Sequence, residues 1–500
     1  MKRIITGFAA FALAAMVFAE STLPAFAMNK SYTYNYDYWG DVQNSPDFYS
    51  VQEVYTTTEL GLDKPLKTPQ GLYAFGTSLY VCDTGNNRIV ELERAEDGAL
   101  SVKRYIEEFT GDVEVTTFNG PSDVAISEEG DIYIADKGNA RILKLDKDLN
   151  YLMQFNIPND ASIEENTTFQ PNKLSIDTAG RVYCVATGIN KGIIKYEPDG
   201  TFSQFMGATE VSYNFLEYLK KRFATQAQRE KMVSFVPTEY DNIYMDYEGF
   251  IYACIGSVKE EDLKAGTVNA VRRLNMMGQD ILVRNGEFPV YGDIYMGTGG
   301  GVTGPSRFID VTCFDNDVYV CLDSNRGRLF GYDDQGELVF AFGGNGNHNG
   351  YFRQPTAIEH IDKDLYVLDG LSCSITVFTT TEFGQLVYDA MEQFDKGEYD
   401  ASEQSWIKAK NLNGNYNLAY IGIGRALLRQ ERYEEAMDYF ELKYDADNYS
   451  KAYKQYRKIW IEENIGLLVA VIVLVFLVPL GIGKIRKIKH EIDMADIFKV

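Results

Sequence analysis

Six segments of the sequence share a tyrosine at an equivalent place: Tyr80, Tyr133, Tyr183, Tyr252, Tyr319 and Tyr366. Counting back a short, nearly constant distance from each brings Gly71, Asp123, Lys173, Asn242, Asp310 and Ala357 to one common level. If the segments surround an axis, two carboxylates and one amide converge there. Oxygen donors of this kind, Asp123, Asn242 and Asp310, suit a hard cation such as Ca²⁺. Lys173 at the same level offers the alternative, because its ammonium would neutralise the facing carboxylates without any metal. The lysine is the expected partner. Other chemistry has little to work with. The three histidines, His348, His360 and His490, are too few for a zinc site built on several imidazoles. A Ser-His-Asp arrangement would depend on His348 or His360. No catalytic or cofactor-binding residue is assigned.

The six cysteines, Cys82, Cys184, Cys254, Cys313, Cys321 and Cys373, form an even set, which invites a disulfide reading in an exported chain. Cys82, Cys254 and Cys321 instead recur two residues after the shared tyrosine, where other segments carry Ala135 or Leu368. That is the pattern of a small buried hydrophobe, with disulfides as the alternative.

The elements that must position these residues are strands. Each segment alternates apolar and polar residues at period two, with turn pairs such as Glu129-Gly130, Ala179-Gly180, Glu248-Gly249 and Asp315-Asn316 between its halves, which specifies β-hairpins. A recurring unit this short cannot bury both faces alone, and radial packing of several small sheets solves that problem. The last segment supplies three strands, so Tyr49 to Thr58, an alternating stretch with no hairpin partner, is expected to complete it and close the ring.

The loops DTGNNRI (Asp83–Ile89) and DKGNARI (Asp136–Ile142), with Asp323 and Arg328 at the same spacing, have a local rationale. The Asp accepts turn N–H groups, Gly85 and Gly138 are expected to take positive φ, and the Arg reaches a carboxylate or carbonyl. On these motifs the sequence resembles the NHL-repeat family of six-bladed β-propellers. The resemblance covers about residues 48–380 and implies a mainly β fold. It is specific for fold and weak for activity. Propeller lyases with NHL-like folds use several histidines, from which this chain departs. Related lactonases of the gluconolactonase kind hold a metal on acidic and Asn ligands that include Glu, and no Glu aligns here.

The flanks carry the targeting signals. Lys2 and Arg3, an apolar run from Gly7 to Ala19 and Ala25-Phe26-Ala27 read as a signal peptide over residues 1–27. An aromatic-rich segment, 28–47, contains Tyr32, Tyr34, Tyr36, Tyr38 and Trp39. It is expected to order against the propeller, with stacking on a small carbohydrate as the alternative. Residues 211–232 have helical spacing and read as an insertion. A Gly-rich stretch with Gly297, Gly299, Gly300, Gly301 and Gly304 lacks the Lys-Ser/Thr of a phosphate-binding loop and reads as a surface loop.

After residue 383 the period becomes helical. Tyr399 and Tyr433, like Trp406 and Phe440, stand 34 residues apart, the tetratricopeptide repeat length. Residues 383–456 therefore resemble a small tetratricopeptide-like all-α module. An uncharged run at 465–482 reads as one transmembrane helix, followed by a basic tail at 483–500. The order of signals implies a single-pass type I protein of the cell membrane with most of the chain extracytoplasmic. The formal charge of −24 repels phosphate backbones and excludes nucleic acid as a natural partner. The expected function is a membrane-anchored binding or interaction scaffold, accessory to a bacterial surface or solute-uptake complex. It would meet protein partners through a propeller face or the helical repeats. The alternative is a metal-dependent hydrolase acting in the channel.

Overall fold

Alternating strands broken by Gly-containing turns fold into antiparallel hairpins, and the hairpins assemble into six small sheets. The computed structural model describes residues 33–160, 163, 166–207, 240–296 and 302–497. The signal peptide, Tyr32, the helical insertion at 211–232 and Gly297 to Gly301 lie outside the described residues. The chain divides into two compact units, Met1–Gln385 and Leu386–Val500.

In the first unit the innermost strands of the six blades are Gly71–Phe75, Pro121–Ile126, Gln170–Ile176, Asn242–Met245, Phe308–Cys313 and Pro355–Ile361. They neighbour one another in cyclic order, the last lying beside the first, so the ring is closed. Blades one, two and three each have four strands, and blade four has three among the described residues. Blade six takes its fourth strand from the N-terminal side. Tyr49–Tyr55 pairs antiparallel with Ser374–Thr380, from Tyr49 opposite Thr380 to Tyr55 opposite Ile375. This is the strand expected from the unpartnered alternation at residues 49–58, and it covers a sheet edge that would otherwise be open.

The shared tyrosines lie on the second strand of each blade and fill the space between sheets. All six are buried, between 0% and 5% exposed, and burying one such ring stabilises the fold by roughly 2–3 kcal/mol. Tyr319 stacks on Tyr332 at 5.6 Å and meets Tyr252 of the preceding blade at 5.1 Å. Five of the cysteines are buried and Cys373 is half-buried, all six as free thiols.

In blades one and two the Asp–Arg loops tie the hairpin to the chain entering it. Arg88 Nε lies 2.7 Å from Asp83 Oδ2 with both side chains fully buried, while Asp83 Oδ1 accepts the Lys67 N–H at 2.7 Å. Blade two repeats this with Arg141 and Asp136 at 2.9 Å and Asn119 N–H on Asp136 at 2.8 Å. Two expectations about these loops are corrected. Gly85 and Gly138 do not carry the positive φ; Asn87 (φ 55°) and Ala140 (φ 53°) do. The glycines serve close approach, since a Cβ on Gly85 would stand 2.7 Å from Lys67 O and one on Gly138 2.6 Å from Asn119 O. In blade five, Arg328 turns away from Asp323. It pairs with Asp293 and donates to the Tyr34 hydroxyl at 3.1 Å, because the N-terminal hairpin covers that blade. This hairpin, Tyr34–Tyr36 with Val42–Asn44, adds to the outer strand of blade five where Tyr34 meets Ala341. Tyr34 and Tyr36 are buried, whereas Tyr38 and Trp39 stay exposed.

In the second unit, helices Tyr399–Leu412, Asn417–Arg429 and Tyr433–Leu442 pack in succession. Gly422 lets Trp406 approach and Gly424 lets Phe440 approach, since a Cβ at either would stand 2.3 to 2.5 Å from the ring. The final helix, Ala446–Ile497, contains an exposed apolar window of mean hydropathy 3.1 and is long and apolar enough to cross a membrane.

The corrected glycine roles make opposite predictions for two residues of one loop. Gly138→Ala is expected to destabilise the propeller by about 1–3 kcal/mol through its clash with the Asn119 carbonyl. Ala140→Gly is expected to stabilise it by about 0.5–1 kcal/mol by relieving a left-handed alanine. Denaturant midpoints measure both, and a reversed order would return the positive-φ role to Gly138.

Candidate functional site

The innermost strands set the site because each presents alternate residues to the channel. Asp123, Lys173, Asn242 and Asp310 all line one cavity of about 640 Å³, and each is 4–7% exposed. Gly71 at the same level is required for close approach, as a Cβ there would stand 2.6 Å from Ser122 O and 2.9 Å from Asp123 Oδ1. Ala357 is buried at the sixth position.

These groups are joined across blades. Asp123 Oδ2 accepts the backbone N–H of Leu174 in blade three at 2.8 Å. Asp310 Oδ2 accepts the N–H of Ile358 in blade six at 2.8 Å, and its Oδ1 accepts the Val311 N–H at 2.8 Å. Asn242 donates its amide N–H to Asp310, and its carbonyl oxygen accepts the Ile243 N–H at 2.6 Å. Lys173 Nζ stands 3.9 Å from Asp123 Oδ1.

Asp123, Asn242 and Asp310 thus share the channel, but both Asp310 oxygens, the Asn242 carbonyl and one Asp123 oxygen are spent on backbone N–H groups or on the amide, and the other Asp123 oxygen stands beside Lys173. Among the described residues no group of three or more His, Cys, Asp or Glu is arranged to hold a metal ion. Ca²⁺ at this level would need several of these oxygens turned to one centre, in competition with those bonds.

Charge in the channel follows from burial. Burial pushes the Asp123 carboxyl up, and Lys173 and the Leu174 N–H pull it only part of the way back. Asp310 is pushed up to about 6 chiefly by burial, against the pull of Lys173. Burial lowers Lys173, but the fields of Asp123 and Asp310 outweigh it and hold its ammonium above the ordinary value. The Lys173–Asp123 pair therefore favours the lysine's charge more than the acid's.

One site residue was missed by counting a single level. Glu359, 5% exposed, stands two residues beyond Ala357 on the same strand and lines the cavity. The period of two was the signal. Adding two to every position of the level gives Tyr73, Ala125, Ser175, Tyr244, Thr312 and Glu359, of which Tyr73, Ser175, Tyr244 and Glu359 form a second rung of the channel wall. Glu359 Oε2 accepts the Thr312 hydroxyl at 3.4 Å and the His360 N–H at 3.3 Å. Burial first and Asp310 second push its carboxyl well above the usual range. His360 Nδ1 lies 2.6 Å from Thr312 Oγ1, and burial lowers the imidazole to about 4. This neutral histidine faces a hydroxyl that is fully buried, so the pair is a structural hydrogen bond.

Two outcomes follow from the channel. Lys173→Met leaves Asp123 and Asp310 without their cation and is expected to cost about 3 kcal/mol or more; unchanged stability would show that the acids are otherwise satisfied. The second concerns pH. Folded Asp310 keeps its proton where the unfolded residue has lost it, so this contribution is present at low pH and is lost as pH rises through about 6. Asp310→Asn keeps one acceptor oxygen and removes the titration. Its unfolding free energy is expected to fall less between about pH 4 and pH 7, by about 2–3 kcal/mol, than that of the unmodified chain. Equal falls would remove Asp310 as the titrating group.

Residues 118–145 match the family model of the NHL repeat, a stretch containing Asp123 and the Asp136–Arg141 pair. Comparison with curated proteins gives no match. Among solved structures the chain is similar to a streptogramin B lyase, at 13% identity over 66% of this chain and 98% of that one, with a TM-score of 0.40. It is similar also to virginiamycin B lyase from Staphylococcus aureus, at 12% identity over 67% and 100%, TM-score 0.37. A third is a protein from Bacteroides caccae, at 9% identity over 61% and 86%, TM-score 0.32. By its strand order and its closed ring the chain is a six-bladed β-propeller that carries a matched NHL repeat in its second blade, followed by a helical unit with one long apolar helix.

Proposed function

We propose that the chain is a membrane-anchored extracytoplasmic binding scaffold, accessory to a bacterial surface or solute-uptake complex. The observation that carries this reading is the condition of the channel. Its acids and amide are bonded to neighbouring blades, so the axis is a brace beside an open cavity and not a set of groups poised to react. The blade faces and the tetratricopeptide-like helices offer broad surfaces to protein partners. The exposed rings of Tyr38 and Trp39 suit a small carbohydrate.

The apolar window in the final helix supports attachment to a membrane through one span. The export signal read at residues 1–27, ahead of that span, supports a type I orientation. A second reading, a metal-dependent hydrolase of the gluconolactonase kind, has Glu359 in its favour as the glutamate missing from the aligned level. Against it stands the commitment of the Asp123, Asn242 and Asp310 oxygens within the fold.

Protease added to intact cells or spheroplasts is expected to digest the propeller and spare a small C-terminal fragment. A protected propeller would overturn the orientation. The same protein is expected to leave a panel of lactones unhydrolysed with Ca²⁺ present, and turnover abolished by a chelator would put the hydrolase first.

A further inference from the structure

The channel cavity holds more acidic side chains than the brace uses. Among the described residues nine acidic side chains line it against one lysine, Lys173, and no arginine. Much of the rim is balanced from outside, Asp246 and Glu248 by Arg273 and Asp177 by Arg181. Deeper in, Glu359 makes no ion pair among the described residues, although its field reaches Lys173. Both of its hydrogen bonds reach Oε2 and both are long, 3.3 and 3.4 Å. Among the described residues no donor reaches Oε1 and no cation pairs with the carboxyl. Lys173 is engaged elsewhere, beside Asp123. One oxygen of this carboxyl is therefore left for an occupant of the cavity that Glu359 lines.

The cavity wall adds a second, independent feature. Tyr73 and Tyr244 line the same space, yet their hydroxyls are taken up by backbone carbonyls, Ile126 O at 3.3 Å and Cys313 O at 3.4 Å. What they leave for an occupant is ring surface. At the rim Tyr247, 55% exposed, contributes a third ring. Aromatic rings beside an unpaired carboxyl favour a cation that also carries carbon. The volume of about 640 Å³ falls within the range of small-molecule sites.

We propose that this cavity binds an organic ammonium ligand, its N–H groups donated to Glu359 Oε1 and its carbon skeleton packed on Tyr73 and Tyr244. An anionic ligand would enter against the acidic lining, whereas an ammonium group beside Glu359 favours the ionised form of a carboxyl that burial and Asp310 otherwise hold well above the usual range. The inference deepens the binding-scaffold reading and rests on it in one respect, that the cavity binds rather than turns over. Lactone hydrolysis would sink that reading, whereas indifference to amines would sink only this inference.

Calorimetry on the detergent-solubilised full chain, with benzylamine, benzyl alcohol and benzoate as isosteric probes at neutral pH, tests it. Benzylamine is expected to bind at least about tenfold more tightly than either isostere, and Glu359→Gln to lose about tenfold or more of that affinity. Tyr247→Ala, at an exposed position, is expected to weaken the amine several-fold and leave the fold intact. Equal affinity for the three probes, binding of none of them, or an unaltered amine affinity in Glu359→Gln would each overturn the proposal. The probe comparison on the unmodified chain decides the matter even if the Glu359 variant fails to fold.

Discussion

The propeller depends on a carboxylate in one blade accepting a backbone N–H from the next. Asp123 does this for Leu174 and Asp310 for Ile358, at the narrowest part of the ring where neighbouring backbones crowd together. Such a bond fixes the spacing and register of adjacent innermost strands, which no hydrogen bond within a blade can do. It also brings two buried negative charges toward one axis. Lys173 answers that charge, and Gly71 answers the crowding, since no larger residue fits against Ser122 and Asp123. One device therefore dictates the residue type at four of six positions of the level, with Asn242 bridging to Asp310 as the fifth.

The two ends of the ring are built differently. At one end the Asp–Arg loops of blades one and two are buried, with Arg88 and Asp83 fully enclosed and the guanidinium lying over the Tyr105 ring at 4.6 Å. At the other end the turns between first and second strands, such as Glu128-Glu129 and Tyr247-Glu248, surround the mouth of the cavity. Clamping the hairpins of blades one and two at the far end lets the near end carry charge and exposed aromatics without loss of register. Its polar surface is not needed for closure.

Much of this was legible in the sequence because a propeller repeats its constraints. The shared tyrosine and its neighbour two residues on marked the second strands, and the unpartnered alternation at Tyr49–Tyr55 marked the closing strand. What could not be read was anything decided by a contact between repeats. Gly138 was assigned a positive φ because glycine permits one, whereas the deciding fact is the distance to the Asn119 carbonyl, a residue of the incoming chain. Ala140, which bears the strain, has no side-chain signature of it. Glu359 was overlooked because the repeats were aligned at one level, while the channel wall is two rungs deep.

Blade five shows how one such contact rewrites a motif. Its Asp323 and Arg328 keep the spacing of the better copies, and the two residues face each other across adjacent strands. The guanidinium nevertheless goes to Asp293, which Arg326 also approaches at 3.3 Å. Tyr36 donates to the same carboxylate at 2.9 Å. Asp323 Oδ2 is left buried without a hydrogen bond among the described residues, a penalty of roughly 1–3 kcal/mol. The return is the docking of the N-terminal hairpin, which buries Tyr34 and Tyr36 and lays Tyr34 beneath the Arg328 guanidinium at 5.0 Å. Two buried aromatic rings outweigh one unpaired carboxylate oxygen. The motif was given up in this blade because the arginine gains more by holding the hairpin than by closing its own loop.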